Sequence, residues 1–253
     1  MSNAKIALVT GGSRNLGKDM ALALAGAGAD VIITYNTRRE EAEQVVAAIN
    51  TLGRKSTALQ LDLGDINGLP MFMEQLKTQL SAGWGVERFD YLINNGGVGA
   101  TLTIPQVTEA DFDRILNINY KGPYFLTQKC LPVMNDGGTI INISSGTTRF
   151  CAHGYSVYAG FKSALETYTR YLAKELGPRK ITANTVAPGP VETDFNNAMI
   201  RSNPQVKAVL SSLSPLGRVG VSEDIGGVVA FLCSDAARWI NGQRIEVSGG
   251  INL

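Results

Sequence analysis

The chain has 253 residues, enough for one large core without a split, and it balances 23 lysines and arginines against 22 acids for a formal charge of +1. A surface without a basic block argues against nucleic acid and anionic membrane as partners. Cys130, Cys151 and Cys233 lie far apart in apolar contexts and read as reduced structural thiols; with no charged leader and no apolar run of membrane-spanning length, the expectation is a cytoplasmic protein.

Short β-rich runs alternate with longer helical patterns from end to end, the signature of βαβ units on a parallel sheet. The first strand, 6–10, runs into Thr10-Gly11-Gly12-Ser13-Arg14-Asn15-Leu16-Gly17 and a helix over 16–28. A glycine-rich turn in that setting aims backbone N–H groups at a pyrophosphate, which makes Gly11, Ser13, Arg14, Asn15, Leu16 and Gly17 candidate contacts. The second strand, 30–35, ends at Thr34-Tyr35-Asn36, where a carboxylate would hydrogen-bond the adenosine ribose of NAD. Tyr35 stands there instead, Asn36 follows, and no acid comes before Glu40. Arg14, Arg38 and Arg39 are near in sequence, and guanidinium groups bind a 2′-phosphate bidentately, so NADP(H) is expected over NAD(H).

A helix over 39–52 leads to a strand at 57–61 followed by Asp62 and Leu63, then a helix at 68–81 and a strand at 91–94 followed by Asn95, Gly96 and Gly97. The next helix, 109–133, opens on Thr108 and Asp111 in the manner of a capping box, and Pro123 should kink it. The strand 139–143 ends at Ser144-Ser145, the helix 156–176 carries Tyr158 and Lys162, and the strand 181–186 enters Pro188-Gly189-Pro190-Val191-Glu192-Thr193. The segment 190–220, rich in Asn, Ser and Pro beyond a strand's carboxyl end, reads as an irregular substrate lid. A helix at 223–234 and a strand at 244–247 close the chain. Seven such strands imply one domain over 1–253: a doubly wound, Rossmann-type three-layer α/β sandwich with a parallel sheet, right-handed crossovers and ligands at the carboxyl ends of the strands.

Tyr158 and Lys162 combine a phenol and an ammonium at i and i+4, on one helix face. The ammonium should lower the tyrosine pKa from about 10 toward neutrality and make it a usable proton donor and acceptor. Such a pair arises by chance in many helices, so its weight comes from its surroundings. Ser145 lies 13 residues before Tyr158. Asn119 has Gly122 three residues on, which Asn117 lacks.

Together these motifs resemble the short-chain dehydrogenases/reductases over nearly the whole chain, down to Ile240-Asn241-Gly242-Gln243 and Val247-Ser248-Gly249-Gly250. The first turn resembles the family's Thr-Gly-x-x-x-Gly-x-Gly, with Asn15 for the middle glycine; Asn tolerates left-handed backbone, so the turn should survive. Asn94-Asn95-Gly96-Gly97 resembles Asn-Asn-Ala-Gly with Gly for Ala, and Ser248 replaces the usual Asp. Only Ser145 of the double serine fits the family's serine-to-tyrosine spacing, and Tyr155 lacks a lysine four residues on.

The resemblance implies NADPH-dependent reduction of a ketone to a secondary alcohol, reversibly. Tyr158 would protonate the forming alkoxide, Ser145 would hold the carbonyl oxygen, and Lys162 would bind the nicotinamide ribose. Asn119 would hold a water linking Lys162 to solvent. It further implies Asp62 at the adenine amine and Thr193, with Pro188, Gly189 and Val191, at the nicotinamide amide, in a homotetramer or dimer built on the two long helices and the last strand. No metal is expected. His153 reads as a surface residue, while Val98, Phe150, Phe195, Met199 and Leu210 either line the pocket or pack. Two alternatives remain. A 3-oxoacyl-[acyl-carrier-protein] reductase would need a basic docking surface, which only Arg179 and Lys180 suggest. A non-catalytic NADP-binding regulator would have no use for the four site residues.

Overall fold

A strand covered on both faces must be apolar at successive positions, and the central strands here meet that demand. The computed structural model describes residues 4–253; the first three residues of the expected 1–253 domain lie outside the described residues. In chain order it builds β1 (Ile6–Val9), α1 (Asn15–Gly26), β2 (Asp30–Tyr35), α2 (Arg39–Thr51), β3 (Ser56–Gln60), α3 (Leu69–Gln79), β4 (Phe89–Asn94), α4 (Glu109–Leu116), α5 (Gly122–Cys130), β5 (Met134–Ile143), α6 (Ser156–Glu175), β6 (Thr182–Pro188), α7 (Phe195–Ser202), α8 (Pro204–Ser212), α9 (Glu223–Leu232) and β7 (Arg244–Val247). The strands form one seven-stranded parallel sheet in the order β3-β2-β1-β4-β5-β6-β7.

Adjacent residues of each strand feed opposite faces. Leu8, Ile32, Leu92 and Ile140 pack with Leu76, Leu126 and Leu172 of α3, α5 and α6. Val9, Ile33, Ile93 and Ile141 pack with Met20, Val45 and Val229 of α1, α2 and α9. This is the doubly wound three-layer sandwich, and its strand order reverses between β1 and β4, where such sheets open a ligand crevice.

Three regions depart from the sequence expectation. The helix foreseen over 109–133 is broken by a π-helical turn at Asn117–Lys121 and resumes as α5 with Pro123 in its first turn. Proline's missing N–H and its clash with the preceding turn account for the break. The expected cap is present, with the Thr108 hydroxyl accepting from the Asp111 N–H at 3.1 Å. Next, β5 begins at Met134 rather than 139, because Phe89 pairs with Met134 and Tyr91 with Thr139 across a register shift. Finally, 190–220 is not irregular: α7 and α8 fill much of it. Asn203 caps α8 by accepting from the N–H groups of Gln205 and Val206 at 3.1 Å each, with Pro204 in the first turn.

Candidate active site

The carboxyl ends of β1, β2, β4, β5 and β6 converge on a cleft of about 610 Å³. Its lining contains Gly11, Ser13, Arg14, Asn15, Leu16, Gly17, Tyr35, Asn36, Arg38, Asp62, Leu63, Asn95, Gly96, Gly97, Ser145, Tyr158, Lys162, Pro188, Gly189, Val191 and Thr193, every sequence-predicted position except Asn119 and Arg39. Val98, Phe150, Phe195, Met199 and Leu210 line it too, so these are pocket residues. Tyr155, set aside as a partner for a lysine, is an aromatic wall, its ring 6.1 Å from that of Tyr158. His153 is exposed and does not line the cleft, as its surface reading foresaw.

The glycine-rich turn is built for close approach. Asn15 sits in left-handed backbone at φ 47°, the conformation expected of it. A Cβ on Gly17 would stand 2.1 Å from the Gly11 carbonyl oxygen, so only glycine closes the turn. The Asn95 amide donates to the Thr10 and Gly11 carbonyls at 2.8 and 3.2 Å, and the Thr10 hydroxyl accepts from the Asn95 and Gly96 N–H groups at 3.0 and 2.9 Å. A Cβ on Gly96 would lie 2.7 Å from Leu63 Cδ1, the flexible end of a leucine side chain that alanine would have to displace. The Asn15 side chain faces the start of α7: its amide donates to Asp194 Oδ2 at 3.4 Å. At the ribose end, Arg38 pairs with Glu41 at 2.5 Å and Arg39 with Glu43 at 2.8 Å, and Arg39 belongs to the solvated start of α2.

At the other end stand the four candidate catalytic residues. Ser145 Oγ accepts from the Thr147 N–H at 3.2 Å and from the Thr147 hydroxyl at 2.9 Å. Lys162 is buried and donates to the Ile143 carbonyl at 2.9 Å, its Nζ 5.6 Å from the centre of the Tyr158 ring. Here the expected sign of the tyrosine shift is reversed. Burial pushes the Tyr158 phenol well above its usual range, the hydrogen bond with Ser145 offsets part of that, and Tyr155 adds to the rise. Burial also lowers Lys162, to about 8. Desolvation outweighs the pairing that helical spacing suggests.

Asn119 is fully buried behind the cleft. Its amide donates to the Val98 and Ile115 carbonyls at 3.0 Å each, and its Oδ1 accepts from the Val98 N–H at 3.3 Å. The side chain is spent bracing the loop after β4, and Pro123, four residues on, has no N–H to give the Asn119 carbonyl. Cys130 and Cys233 are buried as foreseen, but Cys151 is exposed, since it lies on the loop between β5 and α6 rather than in the core. The contacts of Thr147 with Ser145 went unnoticed in the sequence, and Thr10 and Thr34 were read only as part of their motifs; a threonine two residues after a strand-end serine carries no periodic signal.

Among the described residues no group of histidine, cysteine and carboxylate side chains could hold a metal, and no helix is long and apolar enough to cross a membrane. A glycine-walled crevice at a topological switch point, ending on a buried Tyr and Lys beside a strand-end Ser, defines a nucleotide-dependent oxidoreductase. A family profile described as enoyl-(acyl carrier protein) reductase matches residues 11–252. Versicolorin reductase stcU of Emericella nidulans is 37% identical over 261 residues, covering 98% of this chain and 96% of that protein. The hydroxynaphthalene reductase-like protein Arp2 of Metarhizium brunneum is 35% identical over 258 residues, 97% and 94% of the two chains. Among solved structures, the angucycline C-6 ketoreductase LanV with bound NADP matches at a TM-score of 0.93 and 39% identity, over 97% of this chain and 95% of that one. The chain belongs to the short-chain dehydrogenase/reductase family.

Proposed function

We propose that this chain is an NADPH-dependent ketoreductase whose substrate is a neutral ketone on or beside a fused aromatic ring, and that it acts in the cytoplasm as a homotetramer. The cleft fits the cofactor: the Gly11–Gly17 turn for the pyrophosphate, Arg14 and Arg38 for a 2′-phosphate in the absence of any acid at the end of β2, Asp62 and Leu63 for the adenine, and Pro188, Gly189, Val191 and Thr193 for the nicotinamide amide. NADPH supplies the hydride. Tyr158, kept neutral by burial, holds the proton that the forming alkoxide takes, and Ser145 donates a hydrogen bond to the same oxygen. Lys162 has three donors, enough to hold ribose hydroxyls as well as the Ile143 carbonyl. The Asn119 carbonyl holds a water on the route by which Tyr158 regains its proton.

The observation that carries the substrate class is the lining of the far end. Phe150, Tyr155, Phe195, Met199 and Leu210 face it, and among the described residues the charged side chains of the cleft are Arg14, Arg38, Asp62 and Lys162, all assigned above to cofactor or proton transfer. Such a wall suits a flat, uncharged ring. The name of one relative, hydroxynaphthalene reductase-like protein Arp2, supports this class, since hydroxynaphthalene is itself a fused aromatic. Of the two bases the acyl-carrier alternative could use, Arg179 is consumed by Asp136 and by the carbonyls of Leu131 and Met134, at 2.7–2.8 Å, which leaves the exposed Lys180. Initial rates with NADPH and NADH on 2-tetralone, ethyl acetoacetate and an acetoacetyl thioester test the reading. NADPH and tetralone should give kcat/KM at least about tenfold above the other combinations. A preference for the thioester would instead select the carrier-protein reading, and NADPH binding with turnover of none would select a regulator.

A further inference from the structure

An ionic network lies directly behind Ser145. Arg244, on the edge strand β7, donates from Nε to Glu166 at 2.9 Å and from Nη1 to Glu246 at 3.0 Å. Its Nη2 donates to the Ser145 carbonyl at 3.2 Å and to the Thr148 hydroxyl at 3.1 Å. The Thr148 hydroxyl in turn lies 2.7 Å from Glu166 and 2.9 Å from the same Ser145 carbonyl. Glu166, one helical turn beyond Lys162 on α6, also accepts from the Ser144 hydroxyl at 2.6 Å. One carboxylate and one guanidinium, with side chains 12% and 23% exposed, thus grip the loop at Ser144, Ser145 and Thr148. Further out, Arg149 forms a two-pronged pair with Glu246 at 2.7 and 2.8 Å and donates to the carbonyls of Ile251 and Asn252, and Ile251 lines the cleft.

We propose that Arg244 and Glu166 are positioning residues that clamp the Ser145 loop and so aim the serine hydroxyl at the substrate carbonyl. The inference rests on the reading of Ser145 as the hydroxyl that holds this oxygen. A hydroxyl offers two acceptor positions and one proton. The Thr147 N–H and hydroxyl fill both acceptor positions of Ser145 Oγ, which leaves the proton pointing away from Thr147, toward Tyr158 and the carbonyl. That direction is useful only while the backbone carrying Oγ stays fixed, and the Ser145 carbonyl is the atom Arg244 and Thr148 hold. A planar guanidinium reaches Glu166, Glu246 and the carbonyl at once, a geometry that an ammonium cannot copy.

The test is steady-state reduction of 2-tetralone with NADPH by Arg244→Lys and Thr148→Val, with Ser145→Ala and the Ser145→Ala/Arg244→Lys double variant alongside. Thr148→Val removes one hydroxyl without changing volume and serves if Arg244→Lys folds poorly. Arg244→Lys should lower kcat about 10- to 100-fold and Thr148→Val several-fold, the scale of a small misplacement of a catalytic group. NADPH affinity, read by fluorescence, should stay within about twofold, because the cofactor contacts lie elsewhere. In the Ser145→Ala background, Arg244→Lys should cost less than about twofold more, since its effect passes through the serine. Equal losses with and without Ser145, or unimpaired kcat in both loop variants, overturn the clamp alone. A wild-type chain that reduces no ketone overturns the ketoreductase reading and, with it, the role of Ser145 that the clamp serves.

Discussion

At the scale of single residues, burial sets the protonation of Tyr158 and so would govern the proposed proton transfer. The i, i+4 spacing of Tyr158 and Lys162 was visible in the sequence because a helix face follows from period alone, whereas Ser145 and Asn119 were picked out by resemblance to the family's serine-to-tyrosine spacing and its Asn-x-x-Gly element. The sign of the tyrosine shift was not, because spacing reports proximity while only the packed structure reports how much water is left. A phenol held neutral is suited to giving a proton in the direction of reduction. Tyr158→Phe should therefore lower kcat by about 10²- to 10⁴-fold while leaving NADPH binding intact, as single-turnover rates and fluorescence titration would reveal; retention of a tenth of the activity would remove the assigned role. Lys162, lowered to about 8 by burial, is an ammonium below that pH and a neutral amine above it. In the proposed mechanism, loss of its charge would weaken its hold on both the ribose hydroxyls and the phenolate that Tyr158 would become. The pH profile of kcat/KM for reduction should accordingly be level below pH 8 and fall above it, and a level profile through pH 10 would show that the ammonium is dispensable.

Secondary-structure elements carry these residues, and buried amides hold the elements in register. Asn94 at the end of β4 donates to Asn142 of β5 at 2.8 Å and to Thr127 of α5 at 2.9 Å, and Asn142 donates to Thr169 of α6 at 2.8 Å. The ladder joins the two strands that flank the catalytic loops to the helix bearing Tyr158 and Lys162. Asn142→Ala would leave one N–H of the buried Asn94 amide and one acceptor position of the buried Thr169 hydroxyl unmatched, while Asn94 keeps Thr127 and Thr169 keeps the Leu165 carbonyl, and should cost roughly 1–3 kcal/mol in denaturant unfolding; a loss below about 0.5 kcal/mol would be that of an ordinary surface site and would exclude a structural role. Most helix and strand limits follow the sequence pattern within two residues. The exceptions share a cause, in that each is set by contacts the pattern does not encode. The π-helical turn at Asn117–Lys121 answers to Pro123 and to Asn119 bracing a distant loop. In the lid, the Asn203-Pro204 start of α8 was a readable helix signal hidden by polar composition.

At the scale of the molecule, the sheet leaves something uncovered. β7 is an edge strand, and all four of its residues are only partly buried. Near it, Leu253 and Trp239 are each 96% exposed and Leu216 is 69% exposed. A second apolar face lies on the helical layer, where Phe112 of α4 stacks edge-on against Phe161 of α6 at 5.0 Å and Tyr171 of α6 stands out into solvent. An exposed parallel edge beside large apolar side chains is a surface that a second copy would cover. Each face, paired with itself, generates a two-fold axis; two different faces generate two axes and close a tetramer of dihedral symmetry. Light scattering at micromolar concentration should therefore report four chains, and Trp239→Glu should weaken the β7-side contact and leave dimers joined through α4 and α6. A monomer in the wild type would overturn the assembly. A tetramer that survives Trp239→Glu unchanged would move the second contact away from β7.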